Sequence, residues 1–212
     1  MARSRKKIVC LDDSPYYHCC SRVVRNAFLC GIDITTGENY EHRRKWVDTR
    51  ILELAKIFAI DICAYTVMSN HLHLVVKVDT DKANSWTDKD VLVQWHKGFK
   101  GTLLTQKFVK DKDLNELELK TVNQCITEYR HRLIDISWLM RSLSQPIAKQ
   151  ANKEDNCTGH FWERRFKSKA LLDKAAILAC MVYVDLTPIR GKLTITPETS
   201  SYNNANDELT QL

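Results

Sequence analysis

Hydrophobic and polar positions along this chain change period several times, and each change predicts an element. Residues 16–24, Tyr16-Tyr17-His18-Cys19-Cys20-Ser21-Arg22-Val23-Val24, are aromatic and β-compatible and follow Pro15, so they read as a first strand. From 40 to about 59, Trp46, Ile51, Leu54, Ala55 and Phe58 recur at helical spacing with charges between them, which predicts an amphipathic helix. Residues 61–67 form a second strand. The short link Met68-Ser69-Asn70 then suggests an antiparallel hairpin into the apolar run 71–78.

Residues 80 to about 157 read as mostly helical. Ser85 or Thr87 is suited to cap a helix, and Ile136, Leu139, Met140, Leu143 and Ile147 mark another, which Pro146 should start or kink. Two readings fit this stretch: a helix-turn-helix, or helices packed on a core. Residues 159–172 follow as a fourth strand. Asp173 can cap a last helix from Lys174 to about Leu186, which Pro188 should end.

The order β, α, β, β, helical insertion, β, α predicts an α+β fold. It is a ferredoxin-like antiparallel sheet with helices on one face and a helical insertion at about 80–157. The expected organisation is a basic tail over 1–11, one domain over 12–193, and a polar, disordered tail over 194–212. At 212 residues, 44% hydrophobic and 27% charged, the chain is long enough to bury a core without staples. A net charge of +6 is compatible with a polyanionic partner without requiring one. The eight cysteines lack zinc-finger spacing: Cys157 and His160 could supply two ligands, but no second pair completes the set. They read as reduced, structural thiols. No run approaches the roughly 20 apolar residues of a membrane span, and the apolar run at the N-terminus is too short for a signal sequence. A soluble, cytoplasmic protein with no membrane partner is the expectation.

The most specific chemistry lies in Asn70-His71-Leu72-His73. Side chains two apart on a strand share a face, so His71 and His73 project side by side. Buried imidazoles need partners. They are either satisfied core histidines or joint ligands of one metal ion. Tyr183 and Thr187 stand at i and i+4 on the last helix and share a face there. Taken alone, a tyrosine on an apolar helix is a core residue with one wet end. In 159–172, Arg164, Arg165, Lys167 and Lys169 interleave with Phe161, Trp162 and Phe166. That pattern suits phosphate pairing and base stacking, and equally a half-exposed strand. Arg3, Arg5, Lys6 and Lys7 could add nonspecific phosphate contacts.

Three blocks taken together resemble the single-tyrosine HUH transposases, named for histidine-hydrophobe-histidine, and most closely their REP-associated tyrosine transposase branch. They are Asn70-His71-Leu72-His73, then Trp162-Glu163-Arg164-Arg165-Phe166-Lys167-Ser168, then Tyr183-Val184-Asp185-Leu186-Thr187-Pro188-Ile189-Arg190. The resemblance runs from about Tyr16 to Arg190, with the blocks in the family's order. It implies a DNA transposase that cleaves and rejoins single-stranded or hairpin DNA. His71 and His73 would bind a divalent ion, Mg²⁺ or Mn²⁺. Tyr183 would be the nucleophile forming a 5′-phosphotyrosine link, and Arg164, Arg165, Lys167, Lys169 and Trp162 would contact DNA. A phenol is a weak nucleophile at neutral pH, so it needs an electrophile already polarised. The family commonly carries an amide four residues after the tyrosine as third ligand. Here that position is Thr187, which would be the third ligand, a shorter and weaker oxygen donor for which water or Asp185 could stand in. The alternative reading is therefore a domesticated, non-cleaving hairpin-binding protein. The resemblance leaves both monomer and homodimer open.

Overall fold

The computed structural model describes residues 11, 13–24 and 27–190, with side chains as far as 186; the predicted tails lie largely outside them. The elements run β1 (Tyr16–Arg22), α1 (His42–Ala55), β2 (Ile60–Val67), β3 (His71–Val78), α2 (Thr80–Ser85), α3 (Asp88–Gly98), α4 (Leu103–Val109), α5 (Glu116–Leu133), α6 (Ile136–Glu154), β4 (Lys167–Ala170) and α7 (Lys174–Arg190). The four strands make one sheet in the order β2-β3-β1-β4, and β1 is antiparallel to both its neighbours. This is the predicted ferredoxin-like α+β arrangement. The β2–β3 connection is the predicted tight hairpin, closed by Met68 N–H donating to the His71 carbonyl at 2.8 Å.

The chain divides into two compact units. One comprises residues up to Ile51, Ile62–Lys77 and those from Leu143 on; it holds most of the sheet. The register pairs Cys20 with His73, His18 with Val75, and His18 with Lys169. One face therefore carries Tyr16, His18, Cys20 and Arg22 beside His71, His73 and Val75. Helix α7 lies on this face. Ile177, Cys180, Met181 and Val184 pack with Ala64, Val75 and Leu171, which is where burial holds the helix. The other face buries Tyr17, Cys19, Ser21, Leu72, Leu74 and Val76 almost completely. There Arg44 of α1 donates to the Val67 carbonyl, and Tyr65 hydrogen-bonds Asp48. By alternation from Ala64, Tyr65 points away from α7, so the sheet carries α7 on one face and α1 on the other rather than helices on one face alone.

The second unit comprises Leu52–Asp61 and Val78–Ser142. Capping boxes at Thr87, Thr102 and Asn115 start α3, α4 and α5, so of the two predicted caps Thr87 is the one used. The core joins Val91, Leu92 and Trp95 to Val122, Ile126, Tyr129 and Leu133. Trp95 stacks on Tyr129 with centroids 4.3 Å apart and on Phe99 at 4.1 Å.

Three boundaries differ from the sequence pattern. Pro146 sits inside an uninterrupted α6. Helix α7 passes through Pro188 and ends at Arg190, because a proline in the last turn forfeits only one intrahelical bond. The fourth strand is much shorter than 159–172. Val23 bridges Trp162, with Glu163 N–H donating to the Arg22 carbonyl at 2.9 Å, while Cys20 pairs with Lys167, a register slip of two residues that throws Arg164 to Phe166 out as a bulge. The seven cysteines among the described residues are free thiols. No helix among them is long and apolar enough to cross a membrane.

Candidate active site

Strand alternation on β3 sets His71 and His73 on the α7 face with ring centroids 6.0 Å apart. Tyr183 reaches the same place from α7, edge-on to His73 with centroids 6.0 Å apart, and is 41% exposed. A nucleophile needs that opening. Thr187 falls one turn further along α7, and its side chain lies outside the described residues. Asp185, two residues after Tyr183, is turned by about 200° from it around the helix axis. Burial pushes its carboxyl above the usual carboxylate range.

The structure adds a residue that the sequence pattern did not single out. His18 of β1 stacks on His73 at 5.2 Å, with planes 14° apart, and also meets Tyr183 edge-on at 6.4 Å. His18 Nε2 lies 3.0 Å from His73 Nδ1, so the two rings share one proton along that line. When His73 Nδ1 donates it, the lone pair of His73 is on Nε2. His71 is fixed in the same sense. Its Nδ1 lies 2.6 Å from Asn70 Oδ1, an acceptor, so Nδ1 carries the proton and Nε2 the lone pair. Cys20 Sγ lies 3.9 Å from His73 Nε2, and burial raises its thiol pKa, keeping it protonated.

All three imidazoles are held neutral. Burial pushes His73 down to about 4, helped by His18 and His71 beside it. Burial also lowers His18, with Lys169 adding to it, and lowers His71, with Arg22 and Lys167 adding and Glu163 opposing. Neutral imidazoles are what a metal ion takes as ligands. With metal–nitrogen bonds of about 2 Å, two rings on one ion have centroids within about 6.5 Å of each other, so the His71–His73 spacing fits. Among the described residues, no group of three or more His, Cys, Asp or Glu side chains is set to hold a metal. The fit is that of a two-histidine site. Thr66 lies on the same face by alternation from Ala64, and its buried hydroxyl has no hydrogen-bond partner.

The predicted DNA-contact residues divide. Lys167 and Lys169 stand on the histidine face, opposite Cys20 and His18. Arg164 and Arg165 are exposed in the bulge before β4. Trp162 is tied to the fold: its indole N–H donates to the Ser144 carbonyl at 2.9 Å, and its ring packs edge-on against Phe161. Arg22, which was not predicted, pairs with His71 in the register and makes an exposed ion pair with Glu163 at 3.7 Å.

An antiparallel sheet of order β2-β3-β1-β4 with paired histidines on an inner strand, and a tyrosine-bearing helix across them, defines the class of the fold: ferredoxin-like α+β with a helical insertion. No protein-family model matches the chain, and no curated protein matches it by sequence. Among solved structures it is similar to a REP-associated tyrosine transposase bound to a REP hairpin, with a TM-score of 0.51 and 11% identity, over 96% of this chain and 82% of that one. At that identity the likeness is one of fold.

Proposed function

We propose that this protein binds structured single-stranded DNA and cuts and rejoins it, with Tyr183 as nucleophile and His71 and His73 as ligands of Mg²⁺ or Mn²⁺. One observation carries the reading: beside the His71–His73 pair on one face of the sheet stands a solvent-reachable tyrosine more than a hundred residues away, edge-on to the neutral ring of His73. The transposase that shares this fold was solved with a DNA hairpin, which makes a hairpin the first substrate to test.

In this reading the Tyr183 hydroxyl attacks a phosphodiester. A bond forms between Tyr183 Oη and phosphorus, the bond from phosphorus to the 3′-oxygen breaks, and the phenolic proton is replaced by one on the departing 3′-hydroxyl. The 5′-phosphotyrosine retains the bond energy, so a 3′-hydroxyl can reverse the step without a nucleotide cofactor. His71 and His73 would present Nε2 to the ion, whose charge would offset that on the phosphate oxygens. With His73 Nδ1 as the donor to His18 Nε2, His18 would hold His73 in the tautomer that frees Nε2, as outer-shell partners of metal-binding histidines do. Lys167, Lys169 and Arg22 on the same face would take phosphates of the incoming strand.

A second reading, a binder that has lost cleavage, draws on Thr187 in the place of an amide and on the two-histidine donor set. Labelled single-stranded DNA from the flanks of the protein's own gene, incubated with Mn²⁺ or with EDTA, separates them. Under the first reading a covalent protein–DNA band forms with Mn²⁺ and disappears with EDTA or in Tyr183→Phe, while hairpin affinity is kept. Hairpin binding with no adduct in the wild type selects the second reading, and neither binding nor adduct rejects both.

A further inference from the structure

Lys169 belongs to a row of side chains that crosses the sheet beneath Tyr183. In the register it pairs with His18 of β1, and His18 pairs on its other side with Val75 of β3. Directly opposed side chains share a face and stand about 5 Å apart at Cβ, so Lys169, His18 and Val75 form one line across β4, β1 and β3. Helix α7 lies over that line. Cys180 packs against the cluster that contains Val75, and Tyr183, three residues on, meets the His18 ring edge-on at 6.4 Å. The Lys169 charge is felt on both elements. Burial lowers the His18 pKa and Lys169 adds to it, while burial raises the Cys180 thiol and Lys169 opposes it. Lys169 therefore stands at the flank of Tyr183, on the side away from β3 and its histidine pair.

Its ammonium is uncommitted. Lys169 is exposed, and the ion-paired lysines among the described residues are Lys82, Lys89 and Lys107. A lysine set beside a nucleophile with no carboxylate to neutralise it is completed by a phosphate of the substrate. Lys167 is equally exposed, but it lies two residues earlier on β4, about 6.7 Å away, and stands opposite Cys20 instead of His18. The two lysines therefore meet different phosphates of one strand.

We propose that Lys169 is a further catalytic residue: its ammonium donates to a non-bridging oxygen of the phosphate that Tyr183 attacks, while Lys167 holds the neighbouring phosphate and contributes to binding alone. The proposal rests on the DNA-cleaving reading above. Tyr183 Oη still gains the phosphorus and the 3′-oxygen still leaves with a proton; Lys169 stays protonated throughout. Its contact strengthens as charge gathers on the phosphate oxygens, so its loss slows the chemical step and not only the capture of the strand.

The test uses a DNA hairpin with a single-stranded flank and first maps the phosphate that the wild type cleaves with Mn²⁺. Each flank phosphate is then replaced in turn by an uncharged methylphosphonate, and binding is measured in EDTA. At the cleaved position the replacement should weaken wild-type binding about tenfold, the size of one charge-assisted hydrogen bond, and should leave the binding of Lys169→Gln unchanged. Lys167→Gln should keep that sensitivity and lose it at the neighbouring phosphate. With saturating DNA and Mn²⁺, Lys169→Gln should form the Tyr183 adduct about a hundredfold more slowly, Lys169→Arg should recover most of the rate, and Lys167→Gln should stay within about threefold of the wild type. If Lys169→Gln reacts within about threefold of the wild type, or responds to the methylphosphonate at the cleaved position as the wild type does, Lys169 is not on the reacting phosphate and the functional reading stands. If the wild type forms no Tyr183-dependent adduct, the cleavage reading falls and this inference falls with it.

Discussion

Burying His73 in neutral form makes the fold acid-sensitive by an amount that can be worked out. Its pKa moves from 6.5 in the unfolded chain to about 4 in the fold, chiefly through burial. A depressed folded pKa leaves stability whole above 6.5. Between 6.5 and 4 the unfolded chain takes up a proton that the fold resists, so stability falls as pH falls through that window. At 1.36 kcal/mol per pH unit, lowering the pH from 7 to 4.5 should cost about 2.5 kcal/mol through this one ring. Urea unfolding with EDTA present, at both pH values, for the wild type and for His73→Gln, isolates the contribution, since the other titrating groups nearly cancel in the comparison. His18 and His71 shift in the same direction and remain in both proteins. The wild type should lose about 2.5 kcal/mol more than the variant between the two pH values. Equal losses would show that His73 is not held neutral by the fold, and would remove the argument that its lone pair is available near neutral pH.

Two further predictions follow from single contacts. Arg43 is buried and donates to the Phe28 carbonyl and to the exposed carboxylates of Glu154 and Asp155, so Arg43→Met leaves the Phe28 carbonyl without this donor and should destabilise the fold by about 2 kcal/mol, read as a lower urea midpoint; a loss under about 0.5 kcal/mol would contradict the packing described. Lys167→Gln and Lys169→Gln should each lower the slope of log hairpin affinity against log salt by about 0.7 to 0.9, one phosphate contact apiece, and an unchanged slope would take these lysines off the DNA path.

The parts of the site that could be read from the sequence are those fixed by local period. The HxH spacing puts His71 and His73 on one face of any strand, and the short 68–70 link makes the hairpin, so both were accessible before any tertiary contact was known. His18 was not. Its strand reads Tyr-Tyr-His-Cys-Cys-Ser-Arg, with no clear alternation of apolar and polar residues to say which face is buried, and a strand of that kind has a weakly specified register. Only the pairing of Cys20 with His73 brings His18 within hydrogen-bond distance of the histidine pair. The fourth strand shows the opposite limit. Its alternating basic and aromatic residues gave a clear local signal, yet the two-residue slip after Val23 puts Arg164 and Arg165 in a bulge and leaves Lys167 and Lys169 facing the histidines. Trp162 offered an aromatic surface by composition, and its indole N–H is spent instead on a carbonyl 18 residues earlier in the chain. Register and long-range partners therefore decide which of the chemically suitable residues share the site. They assign Lys167, Lys169 and Arg22 to the histidine face and Trp162 to the fold, so substitutions at the first three should act on DNA affinity and those at Trp162 on stability.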